Sequence, residues 1–169
     1  MKTYECYPWW SVLIDNLITL SLYAVGFYFL YLIWPWLTAV FFIYLIYIEW
    51  SLYREGCRHC YYYGKVCHSG RGVAAKLFCK KGDPKVFLTK TVNLIEFLPQ
   101  LVPNLAVLLA GIYLMIFRGF SVITLLLTVW PVAVYMLNQV TFGVLGCPHC
   151  KQAELGCPVY EMFAPKEKK

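Results

Sequence analysis

Charge is what this chain has least of. Of 169 residues only 14% are charged, against roughly 25% in a typical soluble domain. Histidine is scarce too. His59, His68 and His149 are the three present, and none lies in an apolar run. A bis-histidine haem within a helical bundle is therefore excluded, and the acids are too few for a carboxylate-bridged di-metal centre. The sequence lacks the G-x-x-x-x-G-K-[ST] phosphate loop, and no serine–histidine or cysteine–histidine triad is legible in it. The first apolar run lacks a strongly basic leader and an Ala-x-Ala site, so it is expected to be retained as a span.

What is present is hydrophobicity, at 60% of residues. It is gathered in four runs, at about 10–32, 35–52, 92–117 and 121–144. A run of about 20 apolar residues is long enough to cross a bilayer. Lipid offers no partner to free backbone groups, so each run should be a helix. The expected fold is an all-α integral membrane protein with four transmembrane helices arranged as two hairpins. Its segments are a first hairpin (1–53), a loop (54–90), a second hairpin (91–145) and a tail (146–169). Tyr4, Tyr7, Trp9 and Trp10 stand where an interfacial aromatic belt would. Nine lysines and arginines lie between 51 and 90 against two acids, Glu55 and Asp83, whereas the two inter-helix turns hold only Arg118. That bias places both termini and the central loop on the cytoplasmic side of a plasma membrane. The net charge of +6 is thus a topology signal, and no nucleic-acid reader motif accompanies it.

Against this background the cysteines stand out. Residues 57–67 read CRHCYYYGKVC and residues 147–157 read CPHCKQAELGC. Both fit C-x-H-C-x6-C. Cys57, His59, Cys60 and Cys67 map onto Cys147, His149, Cys150 and Cys157 at a constant offset of 90, which also pairs Glu49 with Gln139. Two helices precede each block, so the halves read as parallel repeats whose blocks emerge on one face. In a reducing compartment, closely spaced Cys and His point to metal rather than disulfides. The turn Gly146-Cys147-Pro148-His149-Cys150 resembles the zinc knuckle of zinc ribbons, which implies a tetrahedral zinc held by thiolates. Two ligand sets fit. Each block can close its own site of three cysteines plus His59, His68 or His149. Alternatively, the two C-x-x-C turns share one four-cysteine site, or a block takes its fourth ligand from elsewhere, such as Cys79. An iron–sulfur cluster takes the same thiolates, and Cys157-Pro158 echoes the Cys-Pro of ferredoxin motifs.

Three further features carry expectations. Glu96, Gln100 and Asn104 recur every fourth residue on the third helix and share a face. With Glu49, Asn138 and Gln139 as partners, they form an interhelical polar network or a path into the membrane. Pro99 and Pro103 should kink that helix and free carbonyls. In the loop, residues 73–80 predict a short amphipathic helix, with Val73, Ala74, Leu77 and Phe78 on one side, lying on anionic lipid headgroups. Tyr61, Tyr62 and Tyr63 suit an aromatic belt that packs the loop onto the membrane surface.

Three functions follow. The first is a small membrane metalloprotein whose cytoplasmic zinc platform clamps the hairpins or docks a soluble partner. The second is an iron–sulfur protein linking a soluble donor to quinone. The third is a transporter or channel using Glu96, Gln100 and Asn104.

Overall fold

The computed structural model describes residues 3–89, 94–157 and 160, with side chains described for 3–86, 98–157 and 160. Among them every regular element is helical, and a single isolated bridge joins Tyr4 to Cys150. The long helices are α1 (Trp9–Ile33), α2 (Pro35–Glu55), α5 (Leu94–Arg118) and α6 (Val122–Thr141), with short helices α3 (Arg71–Phe78), α4 (Pro84–Thr89) and α7 (Lys151–Glu154). Four helical stretches are long and apolar enough to cross a membrane: Trp9–Ile33, Pro35–His59, Leu98–Arg118 and Val122–His149. The expected start of the third span at 92 lies outside the described residues.

Local chemistry explains the hairpins. Pro35 opens α2, where a missing amide donor costs nothing and the fixed φ suits the first helical turn. Gly119, at φ 94°, ends α5 in the left-handed region that glycine adopts without penalty. The spans differ from soluble helices in what they expose. Leu20, Ile43, Leu109, Ile116 and Leu126 all lie more than half exposed along their lengths, which in water would be a large aggregation-prone surface and in lipid is the solvated one.

The described residues divide into two compact units that cut across the sequence segments. One is drawn from Met1–Asp15, Trp50–Asn93 and Gln139–Lys169, the other from Asn16–Glu49 and Leu94–Asn138. The second unit is a helical core of Leu22, Phe29, Phe41, Leu45, Val107, Ala110, Leu114 and Val134. Glycine lets its helices approach closely, as is usual between membrane helices. A Cβ at Gly26 would sit 2.8 Å from the Phe41 ring and 3.0 Å from Val107, and one at Gly111 would sit 2.8 Å from Phe29 and closer still to Thr128. Several polar groups in this unit find partners across helices, although Thr38 Oγ1 and Asn104 Oδ1 are buried without a hydrogen bond among the described residues. Pro103 has no amide to give the Pro99 carbonyl, and the Tyr44 hydroxyl of α2 donates to that carbonyl at 3.0 Å instead. Trp130 Nε1 donates to Ser21 Oγ at 3.0 Å. The Arg118 guanidinium donates to the Leu32 carbonyl at 2.5 Å, drawing the turn of the second hairpin onto the end of α1.

Candidate functional site

The first unit holds both cysteine blocks, and their turns share one backbone conformation. Cys57–His59 and Cys147–His149 each form a single 3-10 turn, closed by the amide of Cys60 on the Cys57 carbonyl (3.3 Å) and of Cys150 on the Cys147 carbonyl (3.2 Å). Both turns exit through an extended cysteine, at φ −79° and −83°. A glycine precedes each, Gly56 and Gly146, at the same offset of 90. That glycine pair was legible in the sequence as an extension of the repeat.

Backbone amides reach the sulfurs. Cys60 accepts from the Tyr62 amide, and Cys150 accepts from the amides of Gln152 and Ala153. Cys67 Sγ accepts from the Gly72 amide at 3.3 Å. Tyr62 and Gln152 again differ by 90, so the donors repeat with the thiols. The thiols also sense one another across the blocks. Burial pushes Cys60 up to about 12, helped by the charges of Cys150, Cys57 and Cys67. Burial likewise raises Cys150, with Cys157 and Cys67 adding to it. All eight cysteines are free thiols, and at neutral pH Cys60 and Cys150 are protonated and poor nucleophiles. Among the described residues, no three His, Cys, Asp or Glu side chains are arranged to hold a metal ion.

The N-terminal segment straps the two blocks together. The Tyr4 amide donates to the His149 carbonyl and the Tyr7 amide to the Val66 carbonyl, both at 2.9 Å. Tyr7 OH donates to the Gly146 carbonyl at 2.5 Å. Tyr62 OH donates to the Tyr4 carbonyl at 2.6 Å and accepts from the Lys151 amide at 3.0 Å. Gln152 Oε1 accepts from the Tyr61 amide at 2.7 Å. This corrects two expectations. Tyr7 and Tyr62 are buried and serve as interior hydrogen-bonding struts, because each phenol donates to a backbone carbonyl, Gly146 for Tyr7 and Tyr4 for Tyr62. Tyr63 behaves similarly, its hydroxyl donating to the Cys79 carbonyl at 2.7 Å where α3 ends. Of the four residues expected in the N-terminal belt, Trp9 and Trp10 are the exposed ones.

Glu5 completes the strap. It pairs with Lys65 at 3.3 Å, with Lys151, and with the Tyr61 hydroxyl, joining both blocks at one exposed carboxylate. The Lys151 hydrogen bond, then that of Tyr61, pulls its pKa from 4.5 to about 2. Because the folded value is the lower one, this stabilisation is fully present above pH about 4.5 and is lost as pH falls through about 2. Glu5→Gln should flatten that acid limb of a melting-temperature profile. The difference from wild type at neutral pH should be small and should vanish in about 0.5 M salt, as expected of an exposed pair.

The three histidines diverge. Arg58 Nε donates to His59 Nε2 at 2.8 Å, and since arginine cannot accept, His59 Nδ1 carries the proton and donates to the Asp83 carbonyl at 2.8 Å. Both ring nitrogens of this buried histidine are hydrogen-bonded, and a Cβ on Gly82 would collide with the ring. His149 packs on the Tyr4 ring at 4.9 Å. His68 is buried between Tyr7 and Phe142. Its Nδ1 bonds Ser11 Oγ at 2.6 Å, and its Nε2 faces Asp15 Oδ1 at 3.9 Å. Ser11 and Asp15 lie one turn apart on α1, so a buried Ser–His–Asp set exists that no local motif announces. Burial holds His68 below the ordinary histidine range, and Ser11 is itself 1% exposed, out of reach of solvent. The arrangement anchors the cysteine loop to α1.

Of the remaining sequence candidates, the Cys79 amide closes α3 on the Ala75 carbonyl at 2.8 Å. The side chain of Glu96 lies outside the described residues. Asn104 Nδ2 donates to the Gln100 carbonyl at 3.4 Å. Asn104 also lines a groove of about 190 Å³ with Leu101, Leu105, Leu108, Pro131, Val132 and Tyr135, a mainly apolar wall. Glu49, Asn138 and Gln139 are all half-buried. No family model matches this chain, and no curated protein or solved structure is significantly similar to it.

Proposed function

We propose that this is a membrane metalloprotein in which the two C-x-H-C turns share one zinc site on the cytoplasmic side. The observation that carries this reading is the repeated N–H···S pattern. Cys60 and Cys150 receive amides from residues at equivalent positions, and Cys67 receives one from Gly72. Amides aimed at sulfur stabilise the thiolate form, the form that ligates metal. Without a cation, burial and mutual repulsion keep these thiols protonated, and a divalent ion reverses that balance. Cys60, Cys67 and Cys150 are the central donors, with Cys57, Cys147 and Cys157 next to them, and binding would draw the side chains inward from preformed turns. His59 is left out of the ligand set, since both its nitrogens are engaged. Zinc supplies folding energy here rather than chemistry: it would lock the loop and tail into a rigid platform for a soluble partner.

Anaerobic purification followed by elemental mass spectrometry tests this. The expected result is about one zinc per chain. A folded sample free of both zinc and iron would overturn the proposal. A brown sample containing iron and sulfide would replace zinc by an iron–sulfur centre and turn the reading toward electron transfer to quinone. Zinc-independent substrate flux in liposomes, lost on Asn104→Ala, would favour the transport reading.

A further inference from the structure

Helix α3 has one packed side and one open one. Gly72 and Ala75 form the packed side, pressed so closely on the first cysteine block that a Cβ on Gly72 would meet the Lys65 carbonyl at 2.5 Å. On the opposite side Val73, Leu77 and Phe78 stand outward, Leu77 at 78% and Phe78 at 59% exposure. Leucine and phenylalanine so exposed on one short helix, outside the four spans, form an apolar ridge that the described protein leaves largely open.

Two observations say what covers it. The first is charge. Lys76, Lys80 and Lys81 are all exposed at or just past the ridge, and Asp83 is the sole acid between residues 56 and 89. An apolar ridge flanked by lysines suits the boundary between acyl chains and anionic headgroups, where the ammonium groups reach outward while the ridge inserts. The second is continuity. Phe78 stacks on Tyr53 at 5.9 Å with rings 7° from parallel, and Tyr53 belongs to the stretch Pro35–His59 that is apolar enough to span the membrane. The ridge therefore extends a lipid-facing surface.

We infer that α3 is an interfacial foot that docks on an anionic phospholipid surface and steadies the cysteine loop from below. The Gly72 amide that holds Cys67 Sγ comes from the packed side of this same helix, so the foot and the thiol cluster are mechanically joined. The inference does not depend on a bound metal.

Hydrogen–deuterium exchange of the whole protein in nanodiscs tests it, with chelator present throughout. Amides of 71–78 should exchange at least about tenfold more slowly when about a third of the lipid is phosphatidylglycerol than in phosphatidylcholine alone, and the difference should shrink in about 0.5 M salt. The triple variant Lys76→Glu, Lys80→Glu, Lys81→Glu should lose the lipid dependence, and Leu77→Ser with Phe78→Ser should lower protection in both lipids. Equal exchange of wild type in the two lipids would overturn the inference without requiring any variant to fold. So would a lipid response that survives charge reversal. Protection conferred by a soluble fraction instead of by anionic lipid would mark the ridge as a protein-docking surface and equally overturn it.

Discussion

Changing Cys60 and Cys150 together to serine is expected to strip the protein of zinc, leaving less than about a tenth of the wild-type content. The two residues sit at equivalent positions in the two turns, and the charge of Cys150 acts on Cys60 across the blocks. Serine keeps the volume but replaces a thiolate ligand by a hydroxyl that does not ionise near neutral pH. The single variants discriminate the ligand sets. In a shared site, Cys60→Ser alone releases essentially all the metal. Were each block to close its own site, the same variant would leave about half. Cys6→Ser is the control, because Cys6 is exposed and stands outside both blocks, and it should retain full metal content. Stability should follow occupancy. Apparent zinc affinities in small structural sites correspond to about 10–16 kcal/mol, so even a fraction of that exceeds what the strap can supply, and the double variant should melt as the chelated wild type does. If the double variant keeps its zinc, the shared site is wrong.

The helices and the thiol pattern were legible in the sequence for one reason: both are local constraints. A bilayer demands long apolar runs with internally paired backbones, and the runs at 10–32 and 121–144 announce α1 and α6 within a few residues. Metal-type spacing is likewise local, and the offset of 90 survives as two turns of the same conformation. The strap was not legible, because nothing in Tyr4-Glu5-Cys6-Tyr7 distinguishes an aromatic belt from a segment that crosses both blocks. That difference is decided by carbonyls 60 to 140 residues away, at Val66 and Gly146. The hydrogen-bond partners of the histidines were illegible for the same reason. A histidine inside C-x-H-C reads as a ligand until Arg58 and the Asp83 carbonyl are seen to occupy its ring, and His68 reads as a spare ligand until Ser11 and Asp15 arrive from α1. The freed carbonyl at Pro99 was legible from Pro103, but its partner Tyr44 was not, since a helix-to-helix pairing leaves no trace in either local sequence.

Gly72→Ala is expected to destabilise the fold, and propensity and sterics predict opposite signs for it. Gly72 lies inside α3, and its φ is not positive. Intrinsic propensity alone would therefore make alanine better by about 1 kcal/mol. Sterics point the other way. The added Cβ falls 2.5 Å from the Lys65 carbonyl oxygen and closer still to that of Tyr62. Both obstacles are backbone, so neither yields by rotating a side chain. Relief requires moving α3 off the block, and three links oppose that move. Gly72 accepts from the Gly64 amide at 2.8 Å, donates to Cys67 Sγ at 3.3 Å, and neighbours Ala75, which is fully buried. Breaking two hydrogen bonds and opening a packed contact costs about 3 kcal/mol or more, which exceeds the propensity gain about threefold. The net expectation is a loss of about 2 kcal/mol or more, read as a lower melting temperature and as faster exchange at 62–78. Gly143→Ala sets the baseline, since nothing lies within 4 Å of a Cβ there, and it should be neutral or slightly stabilising. A Gly72→Ala protein that melts with or above wild type would mean that propensity wins and that α3 does not pack on the block as closely as the Tyr62 and Lys65 carbonyls imply.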